Sequence, residues 1–287
     1  MLRTIFSLLI LFNVLAWLVV YDLSQPQFFE VTFFDIGQGD AIFIETLQKH
    51  QILIDGGPDS TILERLNEEI PFWDRTIDLI ILTHPEHDHY GGLIMVLERY
   101  KVKNILWTGV LRDTAEYGEW KEVLERENAN VIIAKSGQRI NWLKSDTDQY
   151  MEVLFPFESF KDEIVKDINN TSVIAKLIFG ENSFLFTGDA YKSVERELVN
   201  RGLNVDSDIL KVGHHGSKTS SDEDFIKEVS PDVAVISCGK DNPYGHPHPE
   251  TLETLEKYGI NILRTDLIGN IKFILNRKSY GISNFQN

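Results

Sequence analysis

The apolar positions of this chain form one long N-terminal run and then many short runs separated by polar turns. Residues 4–21 are apolar with only Asn13 strongly polar, which is about one bilayer thickness of helix. Arg3 precedes the run and the next basic residue, Lys49, lies far beyond it, which predicts a cytoplasmic N-terminus and an exported body. We therefore expect residues 1–27 to form a membrane anchor and linker. A cleaved signal peptide, giving a secreted protein, and a buried core helix remain alternatives.

Residues 28–287 alternate between short strand patterns and amphipathic helices, and we treat them as one domain. Strands are predicted at 28–34, 41–46, 51–55, 77–83, 102–107, 131–134, 151–155, 172–179, 183–187, 209–212, 233–237, 261–265 and 270–276. Helices are predicted at 61–69, 91–100, 115–128, 190–201, 221–229 and 249–258. In each half, a meander of strands comes first and alternating strands and helices follow. This order predicts an α/β (α+β) fold of two mixed sheets covered by helices.

Composition limits the possible functions. The formal net charge of −16 argues against a basic surface that attracts nucleic acid without regard to sequence. A single cysteine, Cys238, excludes an internal disulfide and a multi-cysteine metal cluster. Composition alone therefore favours an enzyme that acts on small molecules.

Seven of the eight histidines fall in three tight clusters, which is difficult to explain by packing. The first cluster, THPEHDH at 83–89, directly follows the apolar run at 77–83. The end of a buried strand is a rigid place for metal ligands. We expect His84 and Glu86 to reach one ion, and Asp88 and His89 to reach a second on the other side of the loop. The following glycine pair is expected to let the backbone turn into a helix.

Three later segments add candidate groups. Asp189 follows Gly188 at a strand end, where its carboxylate could bridge two cations, or instead form a turn or helix cap. On extended backbone the side chains of His214 and His215 would point to opposite sides, so only one is expected to be a ligand. His246 and His248, each next to proline, suit an acid or a phosphate contact, although they could simply order the start of a helix.

Two glycine-rich strand ends, 34–40 and 53–57, lack any nucleotide-binding pattern. A carboxylate there, such as Asp55, can instead orient a ligand histidine. A simple turn is the alternative for both.

Together these residues resemble the metallo-β-lactamase fold superfamily, and within it the C-terminal hydrolase domain of the ComEC DNA-uptake (competence) proteins. The resemblance rests on seven segments in the family's order: FDIGQGDA, LIDGG, THPEHDHYGG, NNTSV, FTGDA, KVGHHGSKTSS and YGHPHPETL. It implies a four-layer αββα sandwich, here preceded by one transmembrane helix, and two divalent metal ions, Mn²⁺ or Zn²⁺.

Two departures from the superfamily pattern concern the metals. Glu86 stands where the superfamily usually has histidine and the ComEC branch has aspartate, which shifts the expectation toward Mn²⁺. The superfamily's histidine before the Gly-Asp turn is missing, and Asn169, Asn170 and Ser172 stand near its place. This suggests a weaker or exchangeable ion at the first site.

The resemblance also implies a role for each candidate residue. The expected metal ligands are His84, Glu86, Asp88, His89, Asp189, His214 and His215. The expected catalytic groups are Asp88, Asp189, His214, His246, His248 and Lys218. The expected substrate contacts are Asn170, Ser172, Ser217 and Lys218. The residues expected to orient the ligands without binding the ions themselves are Asp35, Asp40, Asp55 and His87.

The expected function is that of an exported, membrane-anchored, metal-dependent phosphodiesterase or nuclease that acts on DNA. One span cannot form the channel of ComEC proteins, so a channel-forming competence partner is expected. One alternative is another hydrolase of the same fold, acting on a small phosphodiester, a lactone or a β-lactam. The other is a non-enzymatic, membrane-anchored binding protein with a relict site. Because metal ions would offset the ligand acids, the negative charge argues only against tight metal-free DNA binding.

Overall fold

The structure, a computed structural model, describes residues 2–24, 28–143 and 148–284. The chain begins with one helix, α1 (Leu2–Ser24). Its segment Arg3–Val20 has a mean hydropathy of 2.1 and no buried residue, so it is long and apolar enough to cross a membrane. Most of the expected linker, residues 25–27, lies outside the described residues.

The remaining elements alternate much as expected. The strands are β1 (Phe29–Phe33), β2 (Ile42–Glu45), β3 (Gln51–Ile54), β4 (Thr76–Ile81), β5 (Lys101–Trp107), β6 (Asn130–Ile133), β7 (Arg139–Ile140), β8 (Gln149–Phe155), β9 (Ile174–Phe179), β10 (Asn182–Phe186), β11 (Ile209–Lys211), β12 (Val233–Ile236), β13 (Asn261–Arg264), β14 (Ile271–Leu275) and β15 (Tyr280–Asn284). The helices after α1 are α2 (Thr61–Glu69), α3 (His87–Arg99), α4 (Ala115–Glu127), α5 (Lys192–Asn200), α6 (Glu223–Val229), α7 (Pro249–Lys257) and α8 (Thr265–Ile268).

The described strands form two mixed sheets. The first has the order β15-β14-β1-β2-β3-β4-β5-β6, and the second has the order β13-β12-β11-β10-β9-β8-β7. Strands β3 to β6 are parallel in the first sheet, and β10 to β13 are parallel in the second. The other pairs are antiparallel. Each sheet therefore has a meander half and a half with crossover helices, as the sequence predicted.

The main core lies between the two sheets. Phe29 of β1 stacks on Phe179 of β9, with ring centroids 4.3 Å apart. The outer face of the first sheet is covered by α2, α3 and α4 through side chains such as Leu93 and Trp120. The outer face of the second is covered by α5, α6 and α7 through side chains such as Phe225. These four layers confirm the expected αββα sandwich.

Helix α3 differs from its prediction because it starts at His87 and not at Gly91. Asp88 and His89 therefore lie on the first helical turn, not on a loop. The glycine pair lies inside the helix: a Cβ on Gly91 would stand 2.3 Å from the Pro58 carbonyl oxygen, and one on Gly92 2.0 Å from that of Gly56. Glycine is required here by close backbone contact, and the expected turn was wrong.

The end of the chain also differs from its prediction. The strand pattern at 270–276 was expected to finish the sheet, but β15 adds an antiparallel edge to β14. Its sequence, YGISN, has no apolar run because an edge strand is largely exposed. The two-residue strand β7 was missed for the same reason, since its burial is low.

Candidate metal centre

The candidate site lies where the ends of strands from both sheets meet. In the first sheet the loops after β1, β3 and β4 bring Asp40, Asp55 and His84, and the first turn of α3 adds His89. In the second sheet the loops after β10, β11 and β12 bring Asp189, the 214–215 histidine pair and the 246–248 segment. In α/β proteins, the carboxyl ends of parallel strands are where ligands usually bind.

Histidine and carboxylate atoms converge at this place. Four groups of three such atoms, each within 4.8 Å of one another, occur among the described residues: His84, His89 and Asp189; Asp88, His89 and His215; Asp40, Asp55 and His89; and Asp40, Asp189 and His215. The Oδ2 atom of Asp189 lies 3.4 Å from Nε2 of His89 and 3.3 Å from Nε2 of His215. Nε2 of His215 is also 3.2 Å from Oδ2 of Asp88.

The donor set fits a divalent metal. Nε2 of His84, His89 and His215 are buried and make no hydrogen bond. Oδ1 of Asp189 makes none either, but it lies 3.7 Å from the ammonium nitrogen of Lys211. A buried polar atom without a partner costs about 1–3 kcal/mol, so several at one point call for an explanation. Imidazole nitrogens and a carboxylate converging on one space are ligands that a transition-metal ion accepts.

The other ring nitrogen of each buried histidine is held by a neighbour. Nδ1 of His89 is 2.8 Å from Oδ2 of Asp55, and Asp55 accepts hydrogen bonds from the backbone N–H and hydroxyl of Thr83. Nδ1 of His215 is 3.0 Å from the Ser237 carbonyl oxygen. Because that oxygen can only accept, Nδ1 of His215 carries a proton, and Nε2 is the ring nitrogen that faces the centre.

The electrostatics of the cluster agree with this geometry. Burial, reinforced by the neighbouring His89, holds the pKa of His84 well below its usual value, so His84 is neutral as a ligand must be. Burial opposes charge on Asp189, His89 and His215, but their mutual attraction outweighs it: the pKa of the Asp189 carboxyl lies well below its usual range, and the pKa values of His89 and His215 lie well above theirs. A bound metal ion would displace the Nε2 protons of these two rings. Asp189 is therefore ionised in the centre of the site.

The backbone of the two adjacent histidines is left-handed and not extended. His214 and His215 have φ values of 48° and 53° within a short 3₁₀ turn, Gly213–Gly216, so the expectation of extended backbone was wrong. His215 is buried against Asp189. His214 is partly exposed, with Nδ1 2.9 Å from the Thr219 hydroxyl and Nε2 3.3 Å from the amide nitrogen of Asn169.

Glu86 has a different environment from the other expected ligands. Its side chain is one-third exposed and pairs with Arg112, a residue that the sequence analysis missed. It belongs to none of the four groups of converging atoms. It does line the small cavity of about 170 Å³ that opens onto the site, whose walls are Gln38, Glu86, Asp88, Asn169, Asp189, His214, His215, Tyr244 and His246.

A second cleft of about 430 Å³ adjoins this cavity and shares Glu86 and Asn169 with it. Its walls come from the loop after β5, which carries Arg112, and from the segment before the 3₁₀ turn Ile168–Thr171, which carries Lys166. The two segments are joined through backbone hydrogen bonds, including one of 2.8 Å from Leu111 N to the carbonyl oxygen of residue 163. The cavity and cleft together form one continuous polar surface.

The remaining expected residues lie around the cluster at different depths. Ser172 accepts a 3.0 Å hydrogen bond from the backbone N–H of Asp189 and so helps to orient that loop. Oδ1 of Asn170 accepts a hydrogen bond from Tyr191 N. Burial lowers the pKa of His246 to about 4, which leaves a neutral imidazole on the cavity wall.

Several expected residues do not enter the cavity. Nδ1 of His248 accepts a hydrogen bond from Lys218 N, while the side chain of Lys218 is exposed. The hydroxyl of Ser217 accepts from Thr219 within its own turn. His87 is exposed on α3, and Asp35 caps its own loop by accepting from Gly37 N.

One buried residue of the site was missed completely. Lys211, at the end of β11, is 1% exposed, and its Nζ contacts the carboxylate of Asp40 and lies 3.0 Å from the Gly188 carbonyl oxygen. A lysine within the apolar run ILKV, directly before the paired histidines, was the available signal. Such a lysine must have a buried anionic partner.

Comparisons with known proteins agree with these features. The family model described as the metallo-β-lactamase superfamily matches residues 34–240 of this chain. ComE operon protein 3 of Bacillus subtilis is 33% identical over 261 residues, covering 85% of this chain and 33% of that protein. Competence protein ComA of Neisseria gonorrhoeae is 33% identical over 252 residues, covering 86% and 32%. The chain therefore spans about a third of the length of these relatives.

Two solved structures have the same fold. A metallo-β-lactamase fold protein of Bacillus subtilis superposes with a TM-score of 0.53 at 12% identity, covering 82% of this chain and 95% of that one. A metallo hydrolase of the archaeon Ignicoccus hospitalis gives 0.54 at 15% identity, covering 86% and 100%. At these identities the likeness concerns the fold alone.

Proposed function

This chain belongs to the metallo-β-lactamase superfamily, and on that premise we propose that its centre hydrolyses phosphodiester bonds, with DNA as the substrate. The observation that carries the proposal is the convergence of unpaired buried Nε2 atoms on Asp189. Its relatives include proteins named as competence proteins, and a polar cleft of about 430 Å³ adjoins the centre.

Two divalent ions, Mn²⁺ or Zn²⁺, would be held by His84, Asp88, His89, Asp189 and His215. The ions would supply a nucleophile at neutral pH and Lewis acidity at a phosphoryl oxygen. Glu86 remains part of the proposed ligand set, because it lines the same cavity, but its carboxylate would have to leave Arg112 to reach an ion.

The protein's own groups would bind and orient the substrate. His214 and His246 face the cavity beside the cluster, where the N–H of each neutral ring could donate a hydrogen bond to a phosphate. Either ring could pass a proton to the leaving oxygen only after a bound phosphate had favoured its protonation. Asn169 lies at the junction of cavity and cleft and could bond the next phosphate. His248, Ser217 and Lys218 would act at the outer edge, since they form a hydrogen-bonded turn there.

We further propose that residues 1–27 anchor the protein in the cell membrane and that residues 28–287 act on its extracytoplasmic side. The support is the unburied apolar segment Arg3–Val20 with its single preceding positive charge at Arg3. A separate channel-forming competence protein would then take the DNA strand across the membrane.

The test is hydrolysis by the full chain in detergent, with Mn²⁺ or Zn²⁺ and five substrates. These are single-stranded DNA, double-stranded DNA, a small phosphodiester, a lactone and a β-lactam. We expect metal-dependent cleavage of DNA that is lost in Asp189→Asn and kept in Asp232→Asn, an exposed aspartate used as a matched control. Cleavage of the lactone or β-lactam alone would contradict the proposal, and absence of metal binding would instead favour a binding protein.

A further inference from the structure

Lys211 is a buried cation inside the cluster of acids and histidines. Its ammonium group contacts the Asp40 carboxylate, and it lies 3.7 Å from Oδ1 of Asp189. With a side chain that is 1% exposed, it has no access to water. A buried ammonium is tolerated only where anionic and carbonyl oxygens surround it, and these two carboxylates with the Gly188 carbonyl supply them.

Asp40 would otherwise be a further place for a metal ion. It belongs to two of the four groups of converging ligand atoms, one with Asp55 and His89 and one with Asp189 and His215. Its Oδ1 is buried without a hydrogen bond, 3.5 Å from Nδ1 of His215. The ammonium of Lys211 contacts the other oxygen of this carboxylate, Oδ2. The chain itself therefore supplies the positive charge on this side of the cluster.

We propose that Lys211 is a positioning residue, a cation built into the chain. Its ammonium group pairs with the Asp40 carboxylate and lies beside Oδ1 of Asp189, and so keeps metal ions away from both. Metal ions would then be held on the Oδ2 side of Asp189, where Nε2 of His89 and Nε2 of His215 lie 3.4 and 3.3 Å from Oδ2. The sequence suggested that Asp189 gives one oxygen to each ion. With the Lys211 ammonium 3.7 Å from Oδ1, Asp189 would offer only Oδ2 to the ions. This inference rests on the proposed metal centre.

The test is a cycle of variants read by Mn²⁺ binding, measured as the loss of the free-ion signal in electron paramagnetic resonance. In Asp40→Asn the ammonium loses its main counterion and competes with the ions for Asp189. We expect the dissociation constant to rise about tenfold or more, the scale seen for outer partners of metal ligands. In the double variant Asp40→Asn/Lys211→Met neither charge remains, and we expect binding within about threefold of wild type, because neutral replacement of a whole buried pair is tolerated.

A purely structural role for Lys211 predicts a different order. The double variant would then bind no better than Asp40→Asn, and that result would overturn the inference. Lys176→Met is the matched control, because Lys176 is a largely buried lysine of β9 that bonds Asn204 and Asp206 instead of the site; its Mn²⁺ binding should equal that of wild type. Circular dichroism checks folding.

A further variant, Lys211→Met, tests the inference if Asp40→Asn does not fold. In Lys211→Met the Asp40 carboxylate is released to the ions, so bound Mn²⁺ should give a spectrum unlike that of wild type. The double variant should restore the native spectrum, and identical spectra in all three proteins would overturn the inference. If wild type binds Mn²⁺ but cleaves no phosphodiester, the proposed function is wrong, and the Mn²⁺-binding comparison of the variants still tests the role of Lys211.

Discussion

At the residue scale, the candidate site follows from a few side chains held by specific partners. Asp55 is the clearest case, because it joins the loop after β3 to both His89 and Thr83. The sequence analysis suggested that an aspartate here could orient a ligand histidine. The structure places it 2.8 Å from Nδ1 of His89, with its side chain fully buried.

Replacing Asp55 with asparagine should therefore weaken metal binding. The amide cannot accept the Nδ1 proton and the Thr83 bonds together, so the ring of His89 would lose its fixed tautomer. We expect Mn²⁺ affinity to fall about 10- to 100-fold by isothermal titration. Asp35→Asn is the control, since the side chain of Asp35 accepts from Gly37 N in its own loop and its backbone bonds Arg65 and Asn270, away from the centre. Unchanged affinity in Asp55→Asn would contradict this role.

Glu195 offers a residue-scale prediction away from the site. It is buried in α5 and accepts hydrogen bonds from the backbone N–H groups of Ser221 and Asp222, while Lys192 and Arg196 lie nearby on the same helix. Burial raises its pKa to about 7 from an ordinary 4.5, although those bonds favour the charged form. The folded protein thus holds this proton more tightly than the unfolded chain.

A pKa that is raised in the folded state costs stability once the group ionises. The contribution of Glu195 is greatest below about pH 4.5 and falls as the pH rises to about 7. The difference in unfolding free energy between wild type and Glu195→Gln should fall across this interval by roughly 3 kcal/mol at most. Urea denaturation at several pH values measures it. A difference that stays flat from pH 4 to pH 8 would refute the raised pKa.

Sequence reasoning found the residues that stand in recognisable motifs and missed those that work as partners. His84, Asp189 and His215 come together because they follow strand ends, which a strand pattern can predict, and His89 joins them from the first turn of α3. Arg112 and Lys211 were missed because each contacts an acid from a distant part of the chain. Long-range pairs of this kind leave no local pattern.

At the scale of elements, the first turn of α3 sets the positions of Asp88 and His89. The helix lies so close to the loop after β3 that the backbone N–H of Gly92 bonds the carbonyl oxygen of Gly57 at 2.8 Å. Apolar periodicity located the body of the helix, from residue 91 onward. It could not locate the first turn, because the residues there face the site instead of the core.

Gly92→Ala should disturb this contact. The new Cβ would stand 2.0 Å from the Gly56 carbonyl oxygen and 2.7 Å from that of Asp59, so backbone must move. We expect a loss of about 1–3 kcal/mol in unfolding free energy together with weaker metal binding. Gly118→Ala in α4 is the matched control, because nothing lies within 4 Å of its Cβ. It should stabilise the protein by about 0.5–1 kcal/mol, and equal effects of the two changes would contradict the close contact.

The cleft beside the cavity gives a prediction about substrate length. Lys166 lies on its wall and not among the converging ligand atoms. Lys166→Ala should raise the KM for single-stranded DNA several-fold, while kcat and KM for a small phosphodiester stay unchanged, because only a longer strand reaches the cleft. Lys121→Ala, on the exposed face of α4, is the control. An equal change for both substrates would rule out a role in strand binding.

At the scale of the whole molecule, the described body is an acidic sandwich with four aspartates, Asp40, Asp55, Asp88 and Asp189, gathered at the candidate site. Taken alone, the net charge of −16 favours small-molecule substrates. Asp40, Asp88 and Asp189 are partly balanced by Lys211 and by the histidines, and metal ions would balance the rest. The overall charge therefore governs long-range attraction to DNA, and the local charge governs cleavage.

DNA binding should accordingly depend on metal and on salt. Without divalent ions, the acids of the centre repel phosphate and few cations oppose them, so we expect little retention of DNA in filter binding at 150 mM salt. In the presence of Mn²⁺, wild type should retain DNA at short times. The Asp189→Asn variant, which we expect to be inactive, should show no metal-dependent retention. Strong metal-free retention by wild type would contradict this view of the charge.

The site is divided between the two sheets: His84 and His89 come from one, and Asp189 and His215 from the other. The proposed ligands meet only after the sheets have packed on the Phe29–Phe179 core, so an unfolded chain would offer no prepared place for an ion. A protein that crosses a membrane before folding would acquire its ions on the far side. The compartment in which folding finishes, and not the one in which the chain is made, would then decide which metal the protein carries.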